Sequence, residues 1–185
     1  MLGLKHGTVK LVAYDSNWPK AFKTEAANIR SCLNKPDLSI EHVGSTAIPG
    51  MAAKPILDML VPYESLNEVS EFSTQLAKLD YELVTDGALY KLFIKGPKET
   101  RTHHLTFTSQ NSAYWLETIQ FRNYLLRHPK VAKEYEAKKY ELASIYAESR
   151  RNYTANKAAF IRKVLRLADK ESQKNQQNQS SNYIY

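Results

Sequence analysis

The chain has 185 residues, with 26 Lys and Arg against 19 Asp and Glu, one cysteine and 43% apolar residues. That length suits one domain, the apolar fraction is enough for a buried core, and a lone Cys32 excludes an internal disulfide framework. No apolar run approaches the ~18 residues of a membrane-spanning helix. Met1–Gly7 holds no signal-peptide core, so a soluble, cytoplasmic protein is expected. The net charge of +7 is concentrated: residues 127–170 contain 12 Lys and Arg and 5 acids, whereas the rest contains 14 of each sign. Such a segment suits an anionic partner or a solvated helical surface.

In chain order, Val9–Val12 predicts a short strand. Asn17 and Pro19 open a helix whose stripe of Trp18, Phe22, Ala26, Ile29 and Leu33 recurs every three or four residues. Cys32 beside it is expected to be a core thiol. Pro36 and Asp37 break the helix, a brief strand follows at Ile40–Val43, and a loop runs from Gly44 to Pro55. Ile56–Val61 is an apolar strand interrupted by Asp58. Ser65 and Glu68 have capping-box spacing before a helix bearing Leu66, Val69, Phe72, Leu76 and Leu79. Tyr81–Thr85 and Leu89–Ile94 read as a hairpin, and His104–Thr108 as a further strand. Residues 1–110 thus form an α/β portion, and 111–170 a helical half. Trp115–Leu126, Val131–Ser149 and a segment capped by Thr154 are its helices, the last burying Lys157, Ile161, Val164, Leu165 and Ala168. One domain over 1–170 is expected. Residues 171–185 are two-thirds Asn, Gln or Ser and suggest a disordered tail.

The chemically informative element is the strand holding Asp58. An ionised carboxylate in such a run must be paired, hydrogen-bonded or metal-bound. Alternation places Ile56, Asp58 and Leu60 on one face and Leu57, Met59 and Val61 on the other. Gly44 and Ser45 before it are suited to phosphate, since glycine permits close backbone approach while loop amides and a hydroxyl hold an anion. The structural alternative is a loop stabilised by an Asp58–Lys54 or Asp58–Arg101 pair. On the later strand, alternation sends His104, Thr106 and Thr108 to one face and His103, Leu105 and Phe107 to the other. If His104 faces Asp58, it can ligate a metal or act as acid or base.

The segment Glu41-His-Val-Gly-Ser-Thr-Ala-Ile-Pro-Gly-Met-Ala-Ala-Lys-Pro-Ile-Leu-Asp58 closely resembles the signature of the GrpB-like family. The resemblance continues through Arg101–Leu105, Phe121–Leu125, His128-Pro129 and Tyr153–Lys157, spanning roughly Val9 to Ala168. It implies an α+β fold of the nucleotidyltransferase superfamily, a polymerase-β-like mixed-sheet core with a helical C-terminal half. The family is also found fused to some bacterial dephospho-coenzyme A kinases. In the superfamily a Gly-[Gly/Ser] turn precedes a strand with two acids two residues apart, and a later strand supplies a third. These carboxylates hold divalent cations that align the attacking hydroxyl and the nucleotide phosphates. Gly44, Ser45 and Asp58 fit that pattern. Leu60 occupies the second acidic position, and His104–Thr108 contains no acid. Family members often show His-His-Leu-His where Thr106 stands here.

The resemblance therefore implies Asp58 and His104 as catalytic groups and ligands for Mg2+ or another divalent cation. Gly44, Ser45, Thr46, Lys54, Arg101, Arg122 and Lys157 would bind a nucleotide or phosphorylated small molecule, with His42, His103 and Tyr153 in support. For the cations the alternative is a salt bridge or solvated surface, and for Tyr153 packing between helices. The leading expectation is a nucleotidyltransferase-fold enzyme, or a relict of one, that binds a nucleotide or phosphorylated small molecule and, if it is active, transfers a nucleotidyl group. The alternative is a degenerate module binding RNA, a protein or a coenzyme A-related ligand through its basic helical half, although no RNA-binding motif occurs.

Overall fold

The computed structural model describes residues 1–181. Its strands are β1 (Glu41–Val43), β2 (Leu57–Pro62), β3 (Tyr81–Asp86), β4 (Tyr90–Lys95) and β5 (His103–Thr108). They form one mixed sheet in the order β1-β2-β5-β4-β3, in which β2 and β5 run parallel and every other pair is antiparallel. The helices are α1 (Trp18–Cys32), α2 (Leu66–Val69), α3 (Ser73–Leu76), α4 (Ala113–Arg127), α5 (Pro129–Ile145) and α6 (Arg150–Ser181). The expected α+β fold, a mixed sheet followed by a helical half, is the one found.

Period-two alternation divides the sheet as its sequence requires. Met59, Val61, Phe93, Leu105 and Phe107 face α1 and the α2–α3 region, where Ile29, Val69 and Leu76 complete the main core. On the opposite face Leu60 packs with Val43 of β1 and Trp115 of α4. Helices α4, α5 and α6 pack against one another, and α4 also meets β1. The loop between β1 and β2 is anchored into this helical half. Ile48 and Met51 are buried with Tyr124, Leu125, Tyr135, Val164 and Ala168. That anchoring brings the Gly44–Ser45 turn beneath α5 and α6.

Several local expectations change. Val9–Val12 is no strand; Val12 and Ala53 exchange backbone hydrogen bonds as an isolated bridge. The helix expected after Ser65 is broken into α2 and α3 by 3-10 turns at Ser70–Phe72 and Ala77–Leu79, and the Ser65 side chain makes no cap. Val69, Ser70, Phe72, Ser73 and Thr74 are weak helix formers, which accounts for the irregularity. Cys32 is only half-buried, and its thiol donates to the Gln75 carbonyl. Helix α6 starts at Arg150, so Thr154 lies inside its first turns rather than capping it. The same helix continues through Ser181, into the stretch whose composition suggested disorder. Its Gln, Lys and Glu residues favour helix, and no Gly or Pro interrupts them. Residues 182–185 of that expected tail lie outside the described residues. Among the described residues no helix is long and apolar enough to cross a membrane.

Candidate functional site

The parallel register of β2 and β5 sets Asp58 beside His104, and the antiparallel register of β1 sets Val43 beside Asp58 on its other side. The Asp58 carboxylate is therefore flanked by the His104 imidazole and by Gly44. His104 Nδ1 donates to Asp58 Oδ1 at 2.7 Å, and His104 Nε2 accepts from Arg150 Nη2 at 3.2 Å. A guanidinium can only donate, so this pair of contacts puts the imidazole proton on Nδ1. Gly44 has φ +71° and ψ −171°, a conformation reserved for glycine, and a Cβ there would lie 2.5 Å from Asp58 Oδ2.

Gly44, Asp58 and His104 line a recess of about 100 Å³, closed by Ser45, Lys54, Lys139, Tyr153 and Lys157. Asp58 keeps 42% of its side-chain surface accessible because it faces this recess. The Tyr153 ring is itself buried with Val9 and Leu142. It carries the Lys157 ammonium 4.5 Å and the Lys54 ammonium 5.9 Å from its centroid. Packing and support are thus one role for Tyr153. Lys139 is almost wholly buried, donates to the Ala52 carbonyl and lies 5.2 Å from the Tyr135 ring centre. Glu136 of the same helix accepts the Ala52 N–H, so α5 holds Ala52 by both its backbone N–H and its carbonyl. The recess opens into a groove of about 340 Å³ walled by Leu60, Leu92, Thr106, Thr118 and the stacked rings of Tyr90 and Tyr114, whose centroids are 5.3 Å apart.

The electrostatics are those of crowded cations around one anion. Burial would raise the Asp58 carboxyl, but the His104 hydrogen bond, with the electrostatics of His104, Lys54 and Arg150, brings it down to about 2. Burial first, then Arg150 and Lys157, lowers Lys54 to about 7. Lys139 falls to about 7 through burial and Lys157. Lys157 falls to about 8 through burial, with Asp58 opposing and Arg150 assisting.

Other expected site residues serve elsewhere. Arg101 is turned away from Asp58, its guanidinium reaching the Gly96 carbonyl and Glu82, and it lines neither the recess nor the groove. Arg122 clamps α4 to β1, donating to Glu41 at 2.6 Å and to the His42 carbonyl at 2.8 Å. Neither is placed to grip a phosphate in the recess. His42 stacks on Phe22 and bonds buried Thr46, bracing the turn from behind, although Thr46 also lines the recess. His103 points to the opposite sheet face, near Tyr81 and Glu25. Two contributors, Lys139 and Arg150, escaped the sequence reading, which counted them only within the basic segment 127–170. Lys139 lies four residues after Tyr135 and three before Leu142, and Arg150 lies seven before Lys157. Both spacings share a helix face.

His103 yields a prediction. Burial, with lesser contributions from Lys95 and His104, lowers it from 6.5 to about 4 against the pull of Glu25. Between those values the folded chain binds fewer protons than the unfolded chain, so stability falls as pH drops from 6.5 to 4. Replacing His103 by Gln should remove roughly 2–3 kcal/mol of that acid sensitivity, read as the urea midpoint at pH 7 and pH 4.5. An unchanged difference between the two midpoints would refute it.

The donor set does not suit a resident metal. Among the described residues no three His, Cys, Asp or Glu side chains cluster to hold one. Asp58 Oδ1 and both imidazole nitrogens of His104 already have partners. Three lysines and an arginine surround them, whereas Mg2+ seeks oxygen ligands. The residues present do not fit a protein-held divalent cation.

Comparison with known proteins finds that residues 8–167 match the family model described as GrpB protein. The glutamate-rich protein GrpB of Alkalihalophilus pseudofirmus is 34% identical over 171 residues, covering 89% of this chain and 98% of that protein. The crystal structure of the conserved protein GrpB from Enterococcus faecalis superposes with a TM-score of 0.79 at 32% identity, covering 88% of this chain and 99% of that one. A dephospho-CoA kinase of Mycolicibacterium paratuberculosis is 33% identical over 76 residues, which are 40% of this chain and 19% of that protein.

Proposed function

The chain belongs to the GrpB family, and from its cavity we propose that it binds a nucleotide or another phosphorylated small molecule, with a phosphate group beside the Gly44–Ser45 turn. The observation that carries this reading is the convergence of Lys54, Lys139 and Lys157 on a recess whose lining holds one carboxylate, Asp58, with Arg150 in the adjoining groove against His104. Gathering such cations out of water is unfavourable unless an anion neutralises them. Burial first, and the neighbouring cations after it, hold all three lysines below the ordinary lysine range. A phosphate accepts from ammonium, guanidinium and loop donors together, and its charge relieves the repulsion. The outer groove, with Tyr90 and Tyr114 at its wall, takes the rest of the molecule.

Group transfer is the chemistry this arrangement supports. An acceptor hydroxyl would attack the α-phosphorus, pyrophosphate would leave, and the hydroxyl proton would pass to His104 Nε2, which Asp58 orients. Arg150 turning from that nitrogen to the phosphate would free its lone pair.

Calorimetric titration with ATP and with inorganic pyrophosphate tests the reading. The unaltered chain should bind, and Lys54→Met and Lys157→Met should each weaken binding about tenfold, as expected for losing one charge-assisted hydrogen bond. Lys163→Met, on an exposed position of α6, should leave it unchanged. Failure of the unaltered chain to bind either probe would overturn the reading. Equal losses at Lys163 would favour the basic helical surface as the contact instead.

A further inference from the structure

We infer that the cation cluster of Lys54, Arg150 and Lys157 stands in for the divalent metal of this site, so that the chain holds its ligand's phosphate without a metal ion. The inference rests on the phosphate-binding reading above and deepens it. Four features carry it.

Asp58 is the one carboxylate lining the recess, and its Oδ1 already accepts from His104 at 2.7 Å, which leaves Oδ2 alone to meet an incoming group. The next position on the same face of β2 is Leu60, buried with Val43 and Trp115, and its register partner on β5 is Thr106. No second carboxylate can enter from either strand. The cations, by contrast, are already at hand: Arg150 beside His104 Nε2, from which it can turn to a phosphate, and Lys54 and Lys157 over the buried Tyr153 ring. Finally, a dication set among these charges meets three like charges and one opposite one, whereas a phosphate oxyanion meets the reverse. Lys and Arg side chains can supply the charge neutralisation that Mg2+ supplies elsewhere to a phosphoryl group.

The consequence for Asp58 is a change of sign. A carboxylate that bridges to phosphate through a metal is required for binding. One that only orients His104 within a cationic recess repels the incoming anion. Pyrophosphate is the probe, titrated calorimetrically into the full chain with EDTA or with excess Mg2+. The expected result is undiminished affinity in EDTA and weaker binding in Mg2+, which sequesters the probe. Asp58→Asn, which keeps an oxygen acceptor for His104, should bind pyrophosphate several-fold more tightly. Binding confined to Mg2+, or abolished in a folded Asp58→Asn protein, would overturn the inference while leaving the phosphate-binding reading standing. The EDTA comparison needs no variant, so it decides even if Asp58→Asn does not fold. Absence of binding in both conditions would overturn both.

Discussion

Replacing Gly44 by Ala should destabilise the chain by about 2–4 kcal/mol and abolish phosphate binding. Two effects add. The backbone at Gly44 has φ +71° and ψ −171°, a region that costs a residue with a Cβ about 1–3 kcal/mol. The new methyl would also lie 2.5 Å from Asp58 Oδ2 and 3.2 Å from both Asp58 Cβ and Cγ. Rotating the carboxylate away sacrifices its 2.7 Å bond to His104, and moving the turn disturbs Ile48 and Met51 in the helical core. Gly50 provides the control. Its φ is also positive, +77°, but a Cβ there would meet nothing within 4 Å. Gly50→Ala should therefore lose only the backbone component, about 1–2 kcal/mol. A double-mutant cycle isolates the collision. Shortening Asp58 to Ala in the Gly44→Ala background should recover part of the loss, because the two side chains occupy one space. Equal destabilisation by the two glycine replacements, measured by urea unfolding, would refute the close packing of the turn on Asp58.

Why Gly44 and Asp58 could be paired from the chain alone, while other members of the site could not, follows from the range of the forces involved. Alternation is local, so placing Asp58 and Leu60 on one face, or His104 and Thr106 on another, needs only the strand assignment. That these faces coincide depends on the parallel register of Asp58 with His104 across forty-six residues, which alternation does not specify. Arg101 and Arg122 sit in recognisable motifs, yet the direction of a long side chain is decided by distant partners. Glu82 and the Gly96 carbonyl take one, and Glu41 with the His42 carbonyl takes the other. Lys139 and Arg150 were hidden for a different reason. A lysine on an amphipathic helix ordinarily extends its charge into water. Here the loop anchored by Ile48 and Met51 covers that route and offers the Ala52 carbonyl instead. Starting α6 at Thr154 rather than Arg150 also removed the turn that aligns Arg150 with Lys157.

Burial of the lysines, with their mutual crowding, makes the ligand-free chain more stable in mild alkali than at neutral pH. In the unfolded chain Lys54, Lys139 and Lys157 hold their protons up to about 10.5, whereas in the folded chain they release them at about 7, 7 and 8. Between those limits the unfolded state binds more protons, so the unfolding free energy rises with pH from about 7 to 10. The gain is on the order of a few kcal/mol, most clearly from Lys139, which is nearly inaccessible to solvent. A neutral Lys139 still donates to the Ala52 carbonyl, so discharge removes repulsion without breaking that contact. Above pH 10 the trend reverses. Burial raises Tyr81, Tyr135 and Tyr153, so there the folded state keeps protons that the unfolded tyrosines lose. The urea midpoint at constant ionic strength should therefore climb to a maximum near pH 10, and Lys139→Met should flatten the climb. Saturating pyrophosphate should flatten it too, because a bound anion keeps the lysines charged. The affinity for that anion should fall as pH rises through 7–8, the mirror image of the stability gain. A midpoint that declines steadily from pH 7 to 10 would contradict the lysine cluster as the dominant source of electrostatic strain.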